Sequence, residues 1–218
     1  MNVLVVGANG QIGQHLVDIL KEEGKHTPIA FVRKEEQVKS FEDKGVEARL
    51  GDLEATVDEI KERMEGIDAV VFTAGSGGST GPDKTLLIDL DGAVKVMEAA
   101  ETSGIERFVM VSALGADDRE KWSKEIKPYY VAKHYADWWL MDSELTYTII
   151  RPGMLENEDS KETVLIKDAI TRTDDYSVPR VDVAKVIAAS LDNEKTFRQA
   201  FDLTSGDSTI EDALNKLQ

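Results

Sequence analysis

The 218 residues suffice for one α/β domain with a real core and are too few for two of comfortable size. A formal net charge of −16 repels nucleic acid and anionic membrane alike, so neither is expected as a partner. The absence of cysteine rules out disulfides and thiolate metal sites and suits a reducing cytoplasm, and the scattered His15, His26 and His134 suggest no metal cluster.

The chain begins with an apolar, β-branched run, Val3-Leu4-Val5-Val6, which predicts a strand buried on both faces. Gly7-Ala8-Asn9-Gly10-Gln11-Ile12-Gly13 follows, and then Ile12, Leu16, Ile19 and Leu20 recur at helical spacing. Strand, glycine turn and helix together read as a nucleotide-binding unit. Gly7 makes the tight turn, Gly10 lets backbone approach a pyrophosphate, and Gly13 lets the helix pack close to the sheet. Asn9, Gln11 and Ile12 are expected against the same ligand. The spacing is G-x-x-G-x-x-G rather than the standard G-x-G-x-x-G.

A second strand over 28–33 ends in Arg33-Lys34. About 20 residues past the glycine loop, an acid at this point serves a ribose 2′-hydroxyl, whereas an arginine can receive a 2′-phosphate. Arg33, with Lys34 adding charge, therefore points to NADP(H) over NAD(H). A charged helix over 35–44 leads to a third strand over 46–50 and then to Gly51-Asp52-Leu53. Asp52 and Leu53 can meet an adenine there, or Asp52 can cap the helix expected over 56–64. The residues alone leave both open.

The fourth strand, over 68–74, is the clearest buried run, and it opens at Ala74-Gly75 into a glycine-rich loop suited to following a cofactor's backbone. A long helix is expected over 83–103, a fifth strand over 107–112 ending at Ser112, and a sixth over 145–150 closing on Arg151-Pro152-Gly153. Between the last two, a helix running to about residue 141 carries Tyr129 and Lys133 four apart, hence on one face. An ammonium beside a phenol stabilises the phenolate and lowers its pKa from about 10, making the tyrosine a usable acid or base. Tyr130 sits at the wrong offset from Lys133. His134 reads as a helix-surface residue, Trp138 and Trp139 as core or interface, and Trp122 as a candidate substrate contact. Beyond residue 152, a strand over 164–166, a helix over 181–191, a strand over 200–203 and a helix over 209–217 complete the expected elements. The alternation predicts one doubly wound parallel sheet of the α/β class.

Gly7-x-x-Gly10-x-x-Gly13, Gly51-Asp52-Leu53, Ser112, Tyr129-x-x-x-Lys133 and Arg151-Pro152-Gly153 occur in the order found in short-chain dehydrogenases/reductases. Over nearly its full length the chain resembles their atypical bacterial branch, NmrA-like or NAD(P)-dependent epimerase/dehydratase-like. The resemblance implies a Rossmann fold over residues 1–218, with about 152–218 forming the substrate-side cap. It also implies a Ser112, Tyr129 and Lys133 triad that contacts the cofactor, with Pro152 and Gly153 beside the nicotinamide. Extended members place asparagine where Asp89 stands, and the C-terminal region is short for a sugar-nucleotide pocket; both features weigh against an epimerase. The expected activity is reduction of a small carbonyl or similar acceptor. The alternatives are a cofactor-sensing regulator and an epimerase or dehydratase.

Overall fold

The computed structural model describes residues 1–170 and 176–217. In chain order its regular elements are β1 (Asn2–Val6), α1 (Gln11–Glu23), β2 (Thr27–Val32), α2 (Glu35–Asp43), β3 (Glu47–Leu50), α3 (Val57–Lys61) and β4 (Ala69–Phe72). Next come α4 (Pro82–Lys84), α5 (Ala93–Thr102), β5 (Arg107–Val111), α6 (Lys127–Asp142), β6 (Thr146–Pro152), β7 (Met154–Glu156) and β8 (Thr163–Lys167). The chain closes with β9 (Ser177–Pro179), α7 (Arg180–Ser190), β10 (Gln199–Ser205), β11 (Ser208–Thr209) and α8 (Ile210–Leu214).

Among the described residues, nine strands form one sheet in the order β3-β2-β1-β4-β5-β6-β10-β8-β11. From β3 to β10 every neighbouring pair is parallel. Burial on both faces explains the apolar runs. In β1, Val3 and Val5 join the core beneath α1, α2 and α7, while Leu4 and Val6 join the core beneath α3, α5 and α6. Phe72, Phe108 and Phe201 are fully buried, each stabilising the fold by roughly 1.5–3 kcal/mol relative to exposure. The chain order reverses at β1/β4, where open α/β sheets form a ligand crevice at the strands' carboxyl ends.

The sequence expectations need four corrections. The sheet is not wholly parallel, because β8 runs antiparallel to β10 and to β11. A separate parallel pair, β7 with β9, stands beside β6 and was not foreseen, since strands of three residues carry no usable period. The helix expected over 83–103 is α4 and α5 joined by a π-helical stretch, Thr85–Gly92. The final helix is shorter than expected, spanning Ile210–Leu214.

Candidate functional site

The loop after β1 shows why its glycines are needed. Gly7 has φ of 87°, and a Cβ there would fall 2.6 Å from the Ala74 nitrogen. A Cβ on Gly13 would fall 2.3 Å from the Gly7 carbonyl oxygen, so only glycine brings α1 this close to the turn. The Gly10 N–H donates to the Gly7 carbonyl at 2.8 Å and closes the turn. As N-cap of α1, Gly10 offers no side chain to the helix's free N–H groups, and the first turn holds no acid. Those groups and the helix dipole are left for an anion.

From this turn a cavity of about 650 Å³ runs along the carboxyl ends of β1 to β4. Of the residues expected to meet a cofactor, Gly7, Asn9 and Gly10, Arg33 and Lys34, Asp52 and Leu53, and Ala74 and Gly75 line it. Gln37, Glu54, Thr73 and Ile88 also line it and were missed. Thr73 is recognisable only from its fold context: its hydroxyl donates to the Val6 carbonyl at 3.0 Å and ties β4 to the glycine turn. The Arg33 side chain is exposed and has no ion-pair partner among the described residues, whereas Lys34 reaches Glu36 at 3.4 Å. The Gln37 side chain accepts from the Arg33 N–H at 3.2 Å, fixing the start of α2 next to the guanidinium. Asp52 makes a local turn by accepting from the Glu54 N–H at 2.9 Å, while Thr56 and Glu59 form the capping box of α3. Asp52 therefore lines the cavity without being the helix cap. Gln11, Ile12, Ser112, Tyr129, Lys133, Pro152 and Gly153 do not line this cavity.

A second cluster stands at the carboxyl end of β5. Lys133 is only 4% exposed, donates to the Val111 carbonyl at 3.3 Å, and lies 5.7 Å from the centre of the Tyr129 ring. Ser112 is buried where β5 ends, its N–H donating to the Ile150 carbonyl at 2.7 Å. Of the three residues expected to act together, Lys133 stands beside Tyr129, and Ser112 follows Val111, whose carbonyl Lys133 meets. Asp137, one turn beyond Lys133, was missed. It is 1% exposed and accepts from Arg151 Nε at 2.8 Å, while Arg151 also reaches Asp117 at 3.3 Å. Ser112 Oγ and Asp137 Oδ1 are both buried with no hydrogen-bond partner among the described residues, and burial pushes the Asp137 carboxyl up against the pull of Arg151 and of the nearby Ser112 hydroxyl. An aspartate on the buried face of the Tyr129 helix was the available signal.

Asp89, in the π-helical stretch, also belongs to this cluster. Its Oδ1 lies 3.6 Å from Lys133 Nζ, and its Oδ2 accepts from the Ser76 N–H at 2.9 Å. Both partners of the pair are buried. The expected lowering of the Tyr129 pKa is therefore overturned as a net effect. Burial pushes the phenol up; Lys133 pulls it down, and Asp89, Tyr130 and Asp137 oppose that pull.

Several neighbours serve the architecture. A Cβ on Gly153 would fall 1.8 Å from the Tyr176 carbonyl oxygen, so this glycine is required by the approach of β9 to β7. The Pro152 carbonyl accepts from the Leu114 N–H at 2.9 Å. His134 is buried rather than on the surface, because the loop after β5 folds over it and its Nδ1 lies 2.9 Å from the Ala116 carbonyl oxygen. Trp122 donates its indole N–H to Gly115 and Ala116 and stacks on Tyr130 at 6.2 Å, which pins that loop to α6. Trp138 and Trp139 are exposed and so are not core. No helix among the described residues is long and apolar enough to cross a membrane.

The comparisons agree with this geometry. A family model described as NAD(P)H-binding matches residues 7–194. The "Uncharacterized sugar epimerase YhfK" of Bacillus subtilis is 55% identical over 217 residues, covering 100% of both chains. A structure named "Putative NAD-dependent epimerase/dehydratase from Bacillus halodurans" is 43% identical, with a TM-score of 0.93 and 100% of both chains covered. The structure of the oxidoreductase ylbE from Lactococcus lactis is 32% identical, with a TM-score of 0.89, covering 100% of this chain and 96% of that one. With a full-length match in sequence and fold, and a glycine turn built for a dinucleotide, the chain belongs to the NAD(P)H-binding family of atypical short-chain dehydrogenases/reductases.

Proposed function

We propose that the protein is an NADP(H)-dependent oxidoreductase that reduces a small carbonyl or similar acceptor, with Tyr129 as the proton donor. The observation that carries this reading is Lys133 buried beside the Tyr129 ring at the carboxyl end of β5, with Ser112 ending that strand, next in the sheet to β4, whose end lines the cavity. The uncapped α1 N-terminus and the open approach at Gly10 fit a pyrophosphate. Arg33, at the cavity wall and with no ion-pair partner among the described residues, fits a 2′-phosphate. NADP(H) is preferred on that ground, and the preference is part of the proposal.

A reduced nicotinamide, when bound, supplies two electrons and a hydrogen as hydride to the acceptor carbon. The protein's own residues do the rest. Tyr129 gives its phenolic proton to the acceptor oxygen as charge grows there, and the resulting phenolate is reprotonated from water. Ser112 holds the acceptor oxygen near the phenol. Lys133 stabilises the transient phenolate, and the Tyr129 ring packs edge-on against Tyr130, which in turn stacks on Trp122. Small-molecule acceptors are the expected partners, in keeping with the strongly negative charge.

The test is a screen of aldehydes, ketones, quinones and flavins for NADPH oxidation. Wild-type protein should turn over at least one acceptor. Tyr129→Phe should lower turnover by about 10²–10⁴-fold while leaving NADPH affinity unchanged, since only the proton-transfer group is removed. If Tyr129→Phe turns over as well as wild type, the assigned role is wrong.

A further inference from the structure

Asp89 stands where a neutral side chain would leave Lys133 free to act on Tyr129 at full strength. Its carboxylate is 1% exposed and lies 3.6 Å from Lys133 Nζ. Three features hold it there. The π-helical turn widens the helix between α4 and α5 around it, a deformation that recurs at functional sites. The Ser76 N–H donates to its other oxygen at 2.9 Å. Gly75 makes room, since a Cβ there would stand 3.0 Å from Asp89 Oδ1. A buried carboxylate so placed is costly to desolvate, and Lys133 is the cation that compensates it.

We infer that Asp89 is a positioning residue: as the counter-ion of Lys133 it keeps Tyr129 a protonated acid, setting the site to reduce its acceptor rather than to abstract a proton. An isolated ammonium would favour the phenolate. An ammonium paired with a carboxylate presents a dipole, whose field at the phenol is much weaker. The charged and titratable groups facing Tyr129 are Lys133 and Asp137 on α6, Tyr130 beside it, and Asp89 from the π-helical stretch. Burial disfavours the ionised form most; of these groups only Lys133 favours it, and Asp89 is the foremost of those that oppose Lys133. A phenol held in this way gives a proton to an oxygen gaining hydride at its carbon. It is a poor base for the first step of alcohol oxidation, which an epimerase using its cofactor transiently also needs. The inference rests on the reductase reading for its direction of chemistry, while its electrostatic core stands on the geometry alone.

The experiment is a difference titration. The ultraviolet absorbance of tyrosinate is followed against pH in the whole protein, and the curve of Tyr129→Phe is subtracted to isolate Tyr129. In wild type, Tyr129 should ionise above free tyrosine or not before alkaline unfolding. In Asp89→Asn, which keeps an acceptor for the Ser76 N–H, its midpoint should move down into the folded range. Lys133→Met, the control, should not lower it. Should Asp89→Asn fail to fold, Asp89→Ser removes the same charge with less bulk and is read in the same way. An unchanged or higher midpoint in the folded Asp89 variant overturns the inference. With an acceptor from the screen, Asp89→Asn should also shift the pH profile of alcohol oxidation to lower pH, a change that loss of packing would not produce. The titration needs no acceptor, so failure of the reductase reading and failure of the role of Asp89 are separately visible.

Discussion

Replacing Asp202 by asparagine should stabilise the protein at neutral and alkaline pH and do almost nothing in acid. Asp202 lies on β10, is 1% exposed, and accepts from the Ile170 N–H at 2.8 Å through one oxygen. Its other oxygen is buried with no hydrogen-bond partner among the described residues. Burial, with Asp117 adding repulsion, pushes the carboxyl up from 3.8 to about 6, against the Ile170 hydrogen bond and the weaker pull of Arg151 and Lys121. Because the folded value lies above the unfolded one, the native state binds the extra proton. Its stabilising effect is full below about pH 4 and is lost as pH rises through about 6. At about 1.4 kcal/mol for each pH unit between the two values, the loss is about 3 kcal/mol. An amide needs no proton and can still accept from Ile170, so Asp202→Asn should recover that stability at about pH 8. For a chain of this size the gain is roughly 6–12 °C in Tm. Urea unfolding of both proteins at about pH 4 and about pH 8 measures it. A stability difference that is the same at both pH values would refute the reasoning, as would a variant that is less stable at the higher one.

Two further predictions concern the cofactor cavity. Arg33→Glu should weaken NADPH binding by about 10–100-fold, the scale of one lost charge-assisted hydrogen bond, and should bring NADH affinity level with it or above; titration calorimetry with both cofactors reads the order directly. Gly13→Ala should cost about 1–3 kcal/mol of stability and most cofactor affinity, because its Cβ would meet backbone on the Gly7 side that cannot rotate away. Thermal melts with and without NADPH check both parts, and an unaltered melting curve would show that α1 can slide.

What the sequence determined was whatever depends on residues close together in the chain. The turn at Gly7, Gly10 and Gly13 was legible because a strand, its turn and its helix are contiguous, so each glycine's steric task follows from that order. Tyr129 and Lys133 were legible because helical spacing puts them on one face, and Arg33 because it ends the second strand of a recognisable unit. Tertiary structure decided the rest. Asp89 meets Lys133, and Arg151 meets Asp137, only because separate helices and strands pack at the carboxyl end of β5, a juxtaposition no local spacing encodes. The same holds for the antiparallel edge of β8 and β11 and for the β7 and β9 pair, whose strands are too short to show a period and find partners only in the folded sheet. The spacing of Tyr129 and Lys133 predicted that a cation would sit near a phenol. Whether the phenol's pKa falls or rises depends on burial and on the carboxylates that surround the pair, and those are set by the whole fold.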